Sequence, residues 1–299
     1  METTNTSTAI TVLGLGKMGT AITKTLLKEN FKVTTWNRTI EKSLALEQDG
    51  AIAAGTIDEA VMTSDIIIIS LLDYPTADSL LRPLSKLMPN KFIINLTNGS
   101  PMQAAETAGY LTAAGAHYLD GGIMAIPPMI GQRIALLLFS GSELAFNQSR
   151  NLLNTLGNCQ YLAKDPGRAA LYDLALLAAM YGMYSGYLQS IALIKSAQIK
   201  AADFTPMVVQ WLQAMSQSLS GMGNAIDAGA YSDNVAADLA MQTNSFDNLI
   251  DTYNTIGIPT DLVQPLKQHM QIVVANGYSN ASFSAVFETI TAINRNAIE

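Results

Sequence analysis

The chain has 299 residues, of which 49% are hydrophobic, and this length allows either one large domain or two domains. Its single cysteine, Cys159, excludes an internal disulfide and a metal site built from cysteines. The two histidines, His117 and His269, lie far apart in the sequence, so we expect no histidine-based metal site. From residue 201 onwards two basic residues stand against nine acidic ones, which accounts for the whole formal net charge of −7. This acidic half disfavours nucleic acid as a partner.

The first eight residues contain neither a basic segment nor an apolar run. We therefore expect no secretory signal and a cytoplasmic protein. Residues 174–194 form an uncharged run that is long enough to span a membrane. However, the run contains Tyr181, Gln189 and Ser190, which make it too polar for a typical span. A helix buried in a core or in a subunit interface is the favoured interpretation, and we expect no membrane partner.

Short apolar segments alternate with helical segments over the first half of the chain. Predicted strands cover residues 10–13, 31–36, 66–72, 91–96, 135–139 and 159–162. One predicted helix follows Gly14–Gly19 and runs to about residue 29, and others cover 76–87, 101–114 and 144–156. The continuous apolar run 66–72 is typical of a buried parallel strand. This alternation predicts an α/β fold with a doubly wound parallel sheet.

The second half of the chain is predicted to be helical throughout. Asp165-Pro-Gly167 marks a break, after which a long helix runs from residue 168 to about 199, followed by helices over 204–219, 235–252, 261–275 and 282–294. Asp203, Asp233 and Ser282 are the predicted N-caps. We therefore expect a sheet domain over residues 1–164, an interdomain helix over 165–199, and an all-α domain over 200–299.

Three glycines follow the first predicted strand and open a helix. Gly14, Gly16 and Gly19 fit the pattern G-x-G-x-x-G. In that position the glycines permit a tight turn, a close approach of the backbone to a pyrophosphate, and close packing of helix on strand. The position of the motif at the first strand predicts a dinucleotide-binding Rossmann domain.

The end of the second predicted strand indicates which dinucleotide is bound. An acidic residue there would bind the ribose diol of NAD, but this chain has Asn37, followed by Arg38, Thr39 and, one turn later, Lys42. A guanidinium and a hydroxyl suit the 2′-phosphate of NADPH, so NADPH is favoured over NADH. The alternative is that Arg38 is a surface residue that stacks on adenine. The expected cofactor site comprises Gly14, Leu15, Gly16, Lys17, Met18, Gly19, Asn37, Arg38, Thr39, Lys42, Leu71 and Leu72.

The chain resembles the β-hydroxyacid dehydrogenase superfamily and, within it, the imine reductases and fungal-type reductive aminases. The matching stretches are Gly14–Gly19, Trp36–Thr39, Asn95–Gly99, Gly121–Ala125, Leu171–Leu177, Met180–Gly182, Trp211 and Met241–Gln242. Hydroxyacid members carry a lysine in a G-x-G-x-x-x-K pattern of the long helix. Counting from Gly167, that lysine position is Asp173, which argues against hydroxyacid oxidation.

The resemblance implies roles for several residues. Asp173 would be the central acid, Tyr181 its hydroxyl partner, and Asn98 a polar contact near the nicotinamide. Trp211, Met241, Gln242 and Met124 would line the substrate pocket. The resemblance also implies a homodimer that exchanges helical domains, with each active site between the sheet domain of one subunit and the helices of the other.

Each of these residues also has a plainer interpretation. Asp173 would stabilise the dipole of its helix, Tyr181 would pack in a core, and Asn98 would be a turn residue before glycine. Trp211 and Met241 would be packing residues, and Gln242 a solvated helix residue. Asp173 and Tyr181 are eight residues apart, about 12 Å along a helix, so they are expected to flank one substrate rather than bond to each other.

The function that these patterns imply is NADPH-dependent reduction of an imine or iminium ion to an amine. Reductive amination of a ketone or aldehyde with an amine is expected as well. A carboxylate stabilises positive charge on nitrogen, whereas a lysine would oppose it. Two alternatives stay open at this stage: a hydroxyacid-type dehydrogenase and a non-catalytic protein that binds NADPH as a sensor.

Overall fold

The computed structural model describes residues 9–233 and 235–295. The first eight residues, on which the expectation of no secretory signal rests, lie outside this range. The contact pattern divides the chain into a first unit that ends at Ala179 and a second unit that begins at Met180. The boundary falls inside one long helix, and each unit is described by itself below.

The first unit is built on one sheet of eight strands. They are β1 (Ala9–Leu13), β2 (Lys32–Trp36), β3 (Ile52–Ala53), β4 (Ile66–Ile69), β5 (Phe92–Asn95), β6 (His117–Met124), β7 (Leu136–Gly141) and β8 (Asn158–Ala163). Their order in the sheet is β3-β2-β1-β4-β5-β6-β7-β8, and every pair is parallel except β6 with β7. The predicted doubly wound sheet is confirmed. Because the order reverses at β1, its carboxyl edge between β1 and β4 is where ligands bind in such sheets.

Helices connect these strands. They are α1 (Lys17–Lys28), α2 (Glu41–Leu44), α3 (Ile57–Met62), α4 (Tyr74–Leu81), α5 (Pro101–Ala113), α6 (Glu143–Leu156) and α7 (Gly167–Ser196), with short 3-10 segments at Glu47–Asp49, Arg82–Leu87 and Pro127–Met129. Two apolar clusters fill the space against the sheet. One includes Ile10, Ile68 and Phe139, and the other Ile67 and Ile69, so strand β4 is buried on both faces. This burial explains its unbroken apolar sequence.

The second unit is helical, as predicted. It contains the later part of α7, then α8 (Ala201–Ser216), α9 (Leu219–Ala228), α10 (Leu239–Ile256), α11 (Gln264–Ala275) and α12 (Phe287–Arg295), the last preceded by a 3-10 segment at Phe283–Val286. A small core holds α10, α11 and the 3-10 segment together, and includes Leu239, Met270 and Val286. None of the helices in the described ranges has the length and hydropathy that a membrane span requires.

Two of the three predicted N-caps are wrong. Asp203 lies inside the first turn of α8, whose N-cap is Lys200. Asp233 precedes α10, whose N-cap is Asp238; the Asp238 side chain accepts a hydrogen bond from the backbone N–H of Met241 at 2.7 Å. An acidic residue interacts favourably with the helix dipole both at the N-cap and in the first turn. The sequence alone therefore does not separate these two positions. Ser282 is the N-cap of the 3-10 segment.

Candidate active site

The glycine loop between β1 and α1 has the geometry that the motif predicts. Gly14 adopts a φ of +96°, and a Cβ built on it would lie 2.3 Å from the carbonyl oxygen of Ser70. A Cβ on Gly19 would lie 2.0 Å from the carbonyl oxygen of Gly14. Both positions therefore exclude any side chain. Gly16 differs, because a Cβ built there would meet nothing within 4 Å.

The open side of Gly16 is the part of the loop that can receive a phosphate. Gly16 is the N-cap of α1, and no side chain caps this helix. Its first turn contains no acidic residue, so the positive end of the helix dipole is not neutralised there. Backbone N–H groups at such a helix start bind anions. The loop therefore fits the pyrophosphate of a dinucleotide.

Asn37 supports the loop from the end of β2. Its Oδ1 accepts a hydrogen bond from the backbone N–H of Leu15 at 2.9 Å, and its Nδ2 donates to the carbonyl oxygen of Thr39 at 3.0 Å. The side chain that replaces the ribose-binding acid of NAD enzymes thus holds two loops together. Because it is neutral, it places no negative charge where one would repel the 2′-phosphate of NADPH.

Cationic groups next to Asn37 are free to bind that phosphate. Arg38 and Lys42 are exposed, and neither forms an ion pair with any of residues 9–233 and 235–295. Thr39 is exposed beside them. The two remaining predicted cofactor contacts follow β4: Leu71 packs against Gly14, with Cδ2 2.8 Å from the Cβ position, and Leu72 is 85% exposed. The side chains at this edge therefore fit NADPH.

Asp173 and Asn98 are brought together by the fold, although they are 75 positions apart. Asn98 lies just beyond β5, at the carboxyl edge of the sheet, and its Nδ2 donates a hydrogen bond to Asp173 Oδ2 at 2.5 Å. Asp173 is only 4% exposed, whereas Asn98 is exposed. Asp173 is thus a buried carboxylate with a specific hydrogen-bond donor, and stabilisation of the helix dipole alone does not account for that arrangement.

The absence of a side chain at residue 122 makes room for Asp173. A Cβ built on Gly122, in β6, would lie 3.0 Å from Asp173 Cβ and 3.3 Å from its Cγ. The start of α7 is fixed to the sheet by Ser140 of β7, whose hydroxyl donates to the Pro166 carbonyl oxygen at 2.9 Å and accepts from the Ala169 N–H at 2.8 Å. Gly122 and Ser140 therefore set the position of the acid.

Burial changes the acidity of Asp173. Desolvation raises the pKa of its carboxyl group above the usual range, and the hydrogen bond from Asn98 opposes that shift because it favours the ionised form. No lysine or arginine in the described part of the chain forms an ion pair with this carboxylate. The site therefore holds a proton acceptor whose charge is available to a cation from outside.

The other predicted site residues lie on different elements. Met124 ends β6 and is half-buried. In the second unit Tyr181 is 63% exposed, and Trp211 lines an apolar groove of about 550 Å³ between α7 and α8. Met241 and Gln242 lie in the first turn of α10, where Gln242 Nε2 donates to the Ala237 carbonyl oxygen at 2.9 Å. Within the second unit Tyr181 is therefore not packed in a core, and its role stays a prediction.

Sequence reasoning missed a second buried carboxylate, Asp120 of β6. It is 2% exposed, and the hydroxyl groups of Tyr74 and Tyr118 both donate to its Oδ1. The stretch Gly121–Ala125 is part of the resemblance, but the acid before it gives no signal of its own. An acidic residue next to two glycines is more typical of a turn than of a buried strand.

Comparison with known proteins covers nearly the whole chain. Residues 9–163 match the NAD binding domain of 6-phosphogluconate dehydrogenase, and residues 165–292 match the C-terminal domain of the NADPH-dependent reductive aminase-like family. The NADPH-dependent reductive aminase of Aspergillus oryzae is 40% identical over 283 residues, which is 93% of this chain and 96% of that protein.

Solved structures agree with this assignment. A reductive aminase from Aspergillus terreus in complex with NADPH4, cyclohexanone and allyl amine has a TM-score of 0.89 at 37% identity, covering 95% of this chain and 100% of that one. An imine reductase from Myxococcus stipitatus in complex with NADP⁺ has a TM-score of 0.89 at 31% identity, covering 94% and 99%. Together with the carboxylate at the lysine position, these findings show that the chain belongs to the family of NADPH-dependent reductive aminases and imine reductases.

Proposed function

We propose that this protein reduces imines and iminium ions to amines with NADPH, and that it also couples a ketone or aldehyde with an amine. The observation that carries the proposal is the hydrogen-bonded pair Asn98–Asp173, which places a buried carboxylate where hydroxyacid dehydrogenases hold a lysine. A carboxylate stabilises the cationic nitrogen of an iminium ion. The hydride that reduces the carbon atom comes from NADPH when it is bound.

The residues of the site then have distinct tasks. Asp173 accepts a proton from the ammonium form of the amine, which frees the nitrogen lone pair to attack the carbonyl carbon. Asn98 holds the acceptor oxygen of Asp173 in place through its amide N–H. Tyr181 gives its hydroxyl proton to the departing hydroxyl of the carbinolamine and takes up the proton held by Asp173, so water leaves and the carboxylate of Asp173 is charged again when it stabilises the iminium ion. Trp211, Met241, Gln242 and Met124 shape the pocket for the apolar parts of the substrate.

The cofactor preference follows from the charges beside β2. Arg38 and Lys42 neutralise the 2′-phosphate, Thr39 donates a hydroxyl hydrogen bond, and Asn37 keeps the loop in place without adding a negative charge. The proposed contacts to the remainder of the cofactor come from residues 14–19, Leu71 and Leu72.

A homodimer with exchanged helical domains completes the proposal. Neither α8 nor α9 contains a buried residue. Large apolar side chains are exposed on α7 and α8, among them Leu188 at 63% and Met207 at 64%. Apolar surface of this extent is typical of a subunit interface. A cytoplasmic location and the division at residues 164 and 199 stay predictions from the sequence.

Oxidation of NADPH by the purified protein tests the proposed reaction. We expect turnover with a preformed cyclic imine and with a ketone and an amine supplied in equal amounts. Comparing these two rates at matched concentrations shows whether carbonyl and amine are condensed on the protein. We expect no reduction of NADP⁺ with hydroxyacids. Inactivity with every imine and every ketone–amine pair would contradict the proposal.

A further inference from the structure

A second buried carboxyl group lies behind the Asn98–Asp173 pair. Asp120 accepts hydrogen bonds on Oδ1 from the Tyr74 hydroxyl and, at 2.9 Å, from the Tyr118 hydroxyl. The Tyr118 oxygen in turn accepts from Asn95 Nδ2 at 3.1 Å. All four residues are at most 2% exposed. The proposed reaction assigns no task to this group, which we name the Asp120 cluster.

The Asp120 cluster supports both members of the pair in front of it. Asp120 and Gly122 are two positions apart in β6, so they share a face of the sheet, and Gly122 is the residue that contacts Asp173. The ring of Tyr74 lies against Gly99, with Cδ2 2.3 Å from the Cβ position, next to Asn98 in the chain. Tyr74 also packs against Ala170, one turn before Asp173 in α7. A change in the cluster therefore reaches the acid through direct contacts.

The charge on Asp120 is not fixed by a neighbouring cation. The titratable groups that act on it are Tyr74 from α4, Tyr118 from its own strand and Asp173 from α7. Strands β5 and β7 contribute Asn95 and Ser140 at the paired positions, and neither titrates. Within the described residues no lysine or arginine pairs with Asp120.

The pKa of Asp120 is raised to about 7: burial raises it most, the hydrogen bonds from the two tyrosine hydroxyls lower it, and the negative charge of Asp173 raises it. The hydrogen bonds from the tyrosines favour the ionised form because a carboxylate is the better acceptor. Near neutral pH the carboxyl group therefore changes charge without any other group of the cluster changing its own. Asp120 and Asp173 form a coupled pair of acids.

We propose that Asp120 is a positioning residue that sets the negative charge behind Asp173, and through it the affinity of the site for the cationic nitrogen of the substrate. This inference rests on the proposed imine reduction. In the protonated form Asp120 adds no charge to that of Asp173. When the O–H bond of Asp120 breaks and the proton passes to solvent, a second negative charge strengthens the attraction for the iminium ion.

The pH profile of kcat/KM separates this role from a structural one. Asp120→Asn keeps the size of the side chain but cannot ionise. We expect the ratio of wild-type to Asp120→Asn kcat/KM to rise about tenfold as the pH passes through about 7, on the scale of one added charge in a partly desolvated site. The titration of the imine substrate itself cancels in this ratio. A ratio that is constant with pH would overturn the proposal, because lost packing lowers the rate equally at every pH.

Tyr118→Phe should raise the pH at which kcat/KM increases. It removes a hydrogen bond that favours the ionised carboxylate, so we expect the rise in kcat/KM to occur at a higher pH than in the wild type. Tyr110→Phe is the matched control, since the Tyr110 hydroxyl donates to Asp78 at 3.0 Å and not to Asp120. Its profile should coincide with that of the wild type. A shift in both variants, or in neither, would contradict the assignment.

Infrared spectroscopy of the full-length protein reads the same ionisation without turnover. We expect a carbonyl band of protonated carboxylic acid that disappears near pH 7 in the wild type, and we expect this loss near pH 7 to be missing in Asp120→Asn. An equal loss of band near pH 7 in the variant would overturn the assignment. If no imine is reduced by any form of the protein, the proposed function fails, while the infrared titration still decides whether Asp120 holds the proton.

Discussion

The two units of the chain differ in how completely they bury their own apolar surface. In the first unit, apolar clusters cover both faces of the sheet, and residues such as Ile68 and Phe139 are fully buried. In the second unit the core is small and centres on α10, α11 and the segment before α12, while α8 and α9 contain no buried residue. The first unit therefore buries its own apolar surface, whereas the second exposes apolar surface that we propose is covered by a second copy of the chain.

The chemistry is divided in a similar way. The hydrogen-bonded polar groups Asn98, Asp173 and Asp120 all lie in the first unit, where side-chain hydrogen bonds hold all three and burial holds the two acids. The second unit contributes exposed apolar and aromatic side chains, such as Trp211 and Met183 along the groove. We infer that reactivity is set by the first unit and that substrate choice is set by the exposed apolar side chains of the second unit.

Removal of the central acid should have the largest effect. Asp173→Ala deletes the carboxylate that stabilises positive charge, so we expect kcat with a cyclic imine to fall about 100- to 1,000-fold. The Kd for NADPH, measured by fluorescence titration, should stay within about twofold because the contacts beside β2 are untouched. Asp203→Ala, which removes an exposed acid from α8, is the control and should leave kcat unchanged. An unchanged rate for Asp173→Ala would remove this residue from the mechanism.

The next largest effect is expected in the second unit, at the proposed dimer interface. Leu188 is 63% exposed on α7, and Leu188→Asp would place an unpaired charge in the proposed dimer interface. We expect the dimer to weaken about 100-fold or more, because an unpaired buried charge costs several kcal/mol. Sedimentation velocity at several protein concentrations measures the change. Met62→Asp is the matched control, since Met62 is 60% exposed in the first unit. Equal dissociation constants for both variants would argue against an interface on α7.

A change in the 2′-phosphate site should affect the KM for NADPH but not the KM for NADH. Arg38→Ala removes a guanidinium that we place on the 2′-phosphate, so we expect the KM for NADPH to rise about 10- to 100-fold, as for the loss of a charge-assisted hydrogen bond. The KM for NADH should change little, because NADH lacks that phosphate. Lys28→Ala, at the exposed end of α1, should affect neither constant. Parallel increases for both cofactors would indicate that Arg38 stacks on adenine.

The smallest effect should come from crowding the acid. In Gly122→Ala the new methyl group would lie 3.0 Å from Asp173 Cβ, so the acid must shift by a few tenths of an ångström. We expect kcat to fall about tenfold, because small errors in the position of a reacting group are costly. Gly109→Ala is the control, since a Cβ there meets nothing within 4 Å. If both variants retain the wild-type kcat, Asp173 tolerates displacement, and the packing of the first unit does not set reactivity.

The sequence predicted those parts of the fold that have a strong local pattern. The strand at Ile66–Ile69 consists of four isoleucines, and three glycines identify the dinucleotide-binding loop. Both patterns can be recognised from a few consecutive residues. The pairing of Asn98 with Asp173 was not predicted, because it joins residues 75 positions apart and depends on the start of α7 being fixed by Ser140.

Strand β6 shows why other elements were missed. Its sequence includes Asp120, Gly121 and Gly122, which interrupt the apolar pattern of a buried strand. The acid is accommodated only because Tyr74 and Tyr118 donate hydrogen bonds to it, and Gly122 is required only because Asp173 lies opposite. Both reasons come from tertiary packing that local propensity does not encode. The short elements β3, α2 and α3 were missed for lack of length.

The buried carboxyl group of β6 also links folding to proton uptake. The pKa of Asp120 is raised from 3.8 to about 7 by burial, so between these values the native protein holds a proton that the unfolded chain has released. Its contribution to the free energy of unfolding is complete below pH 4 and is lost as the pH rises through 7. The total is on the order of 4 kcal/mol. Near neutral pH, unfolding therefore releases a proton, and the free energy of unfolding falls as the solution becomes alkaline.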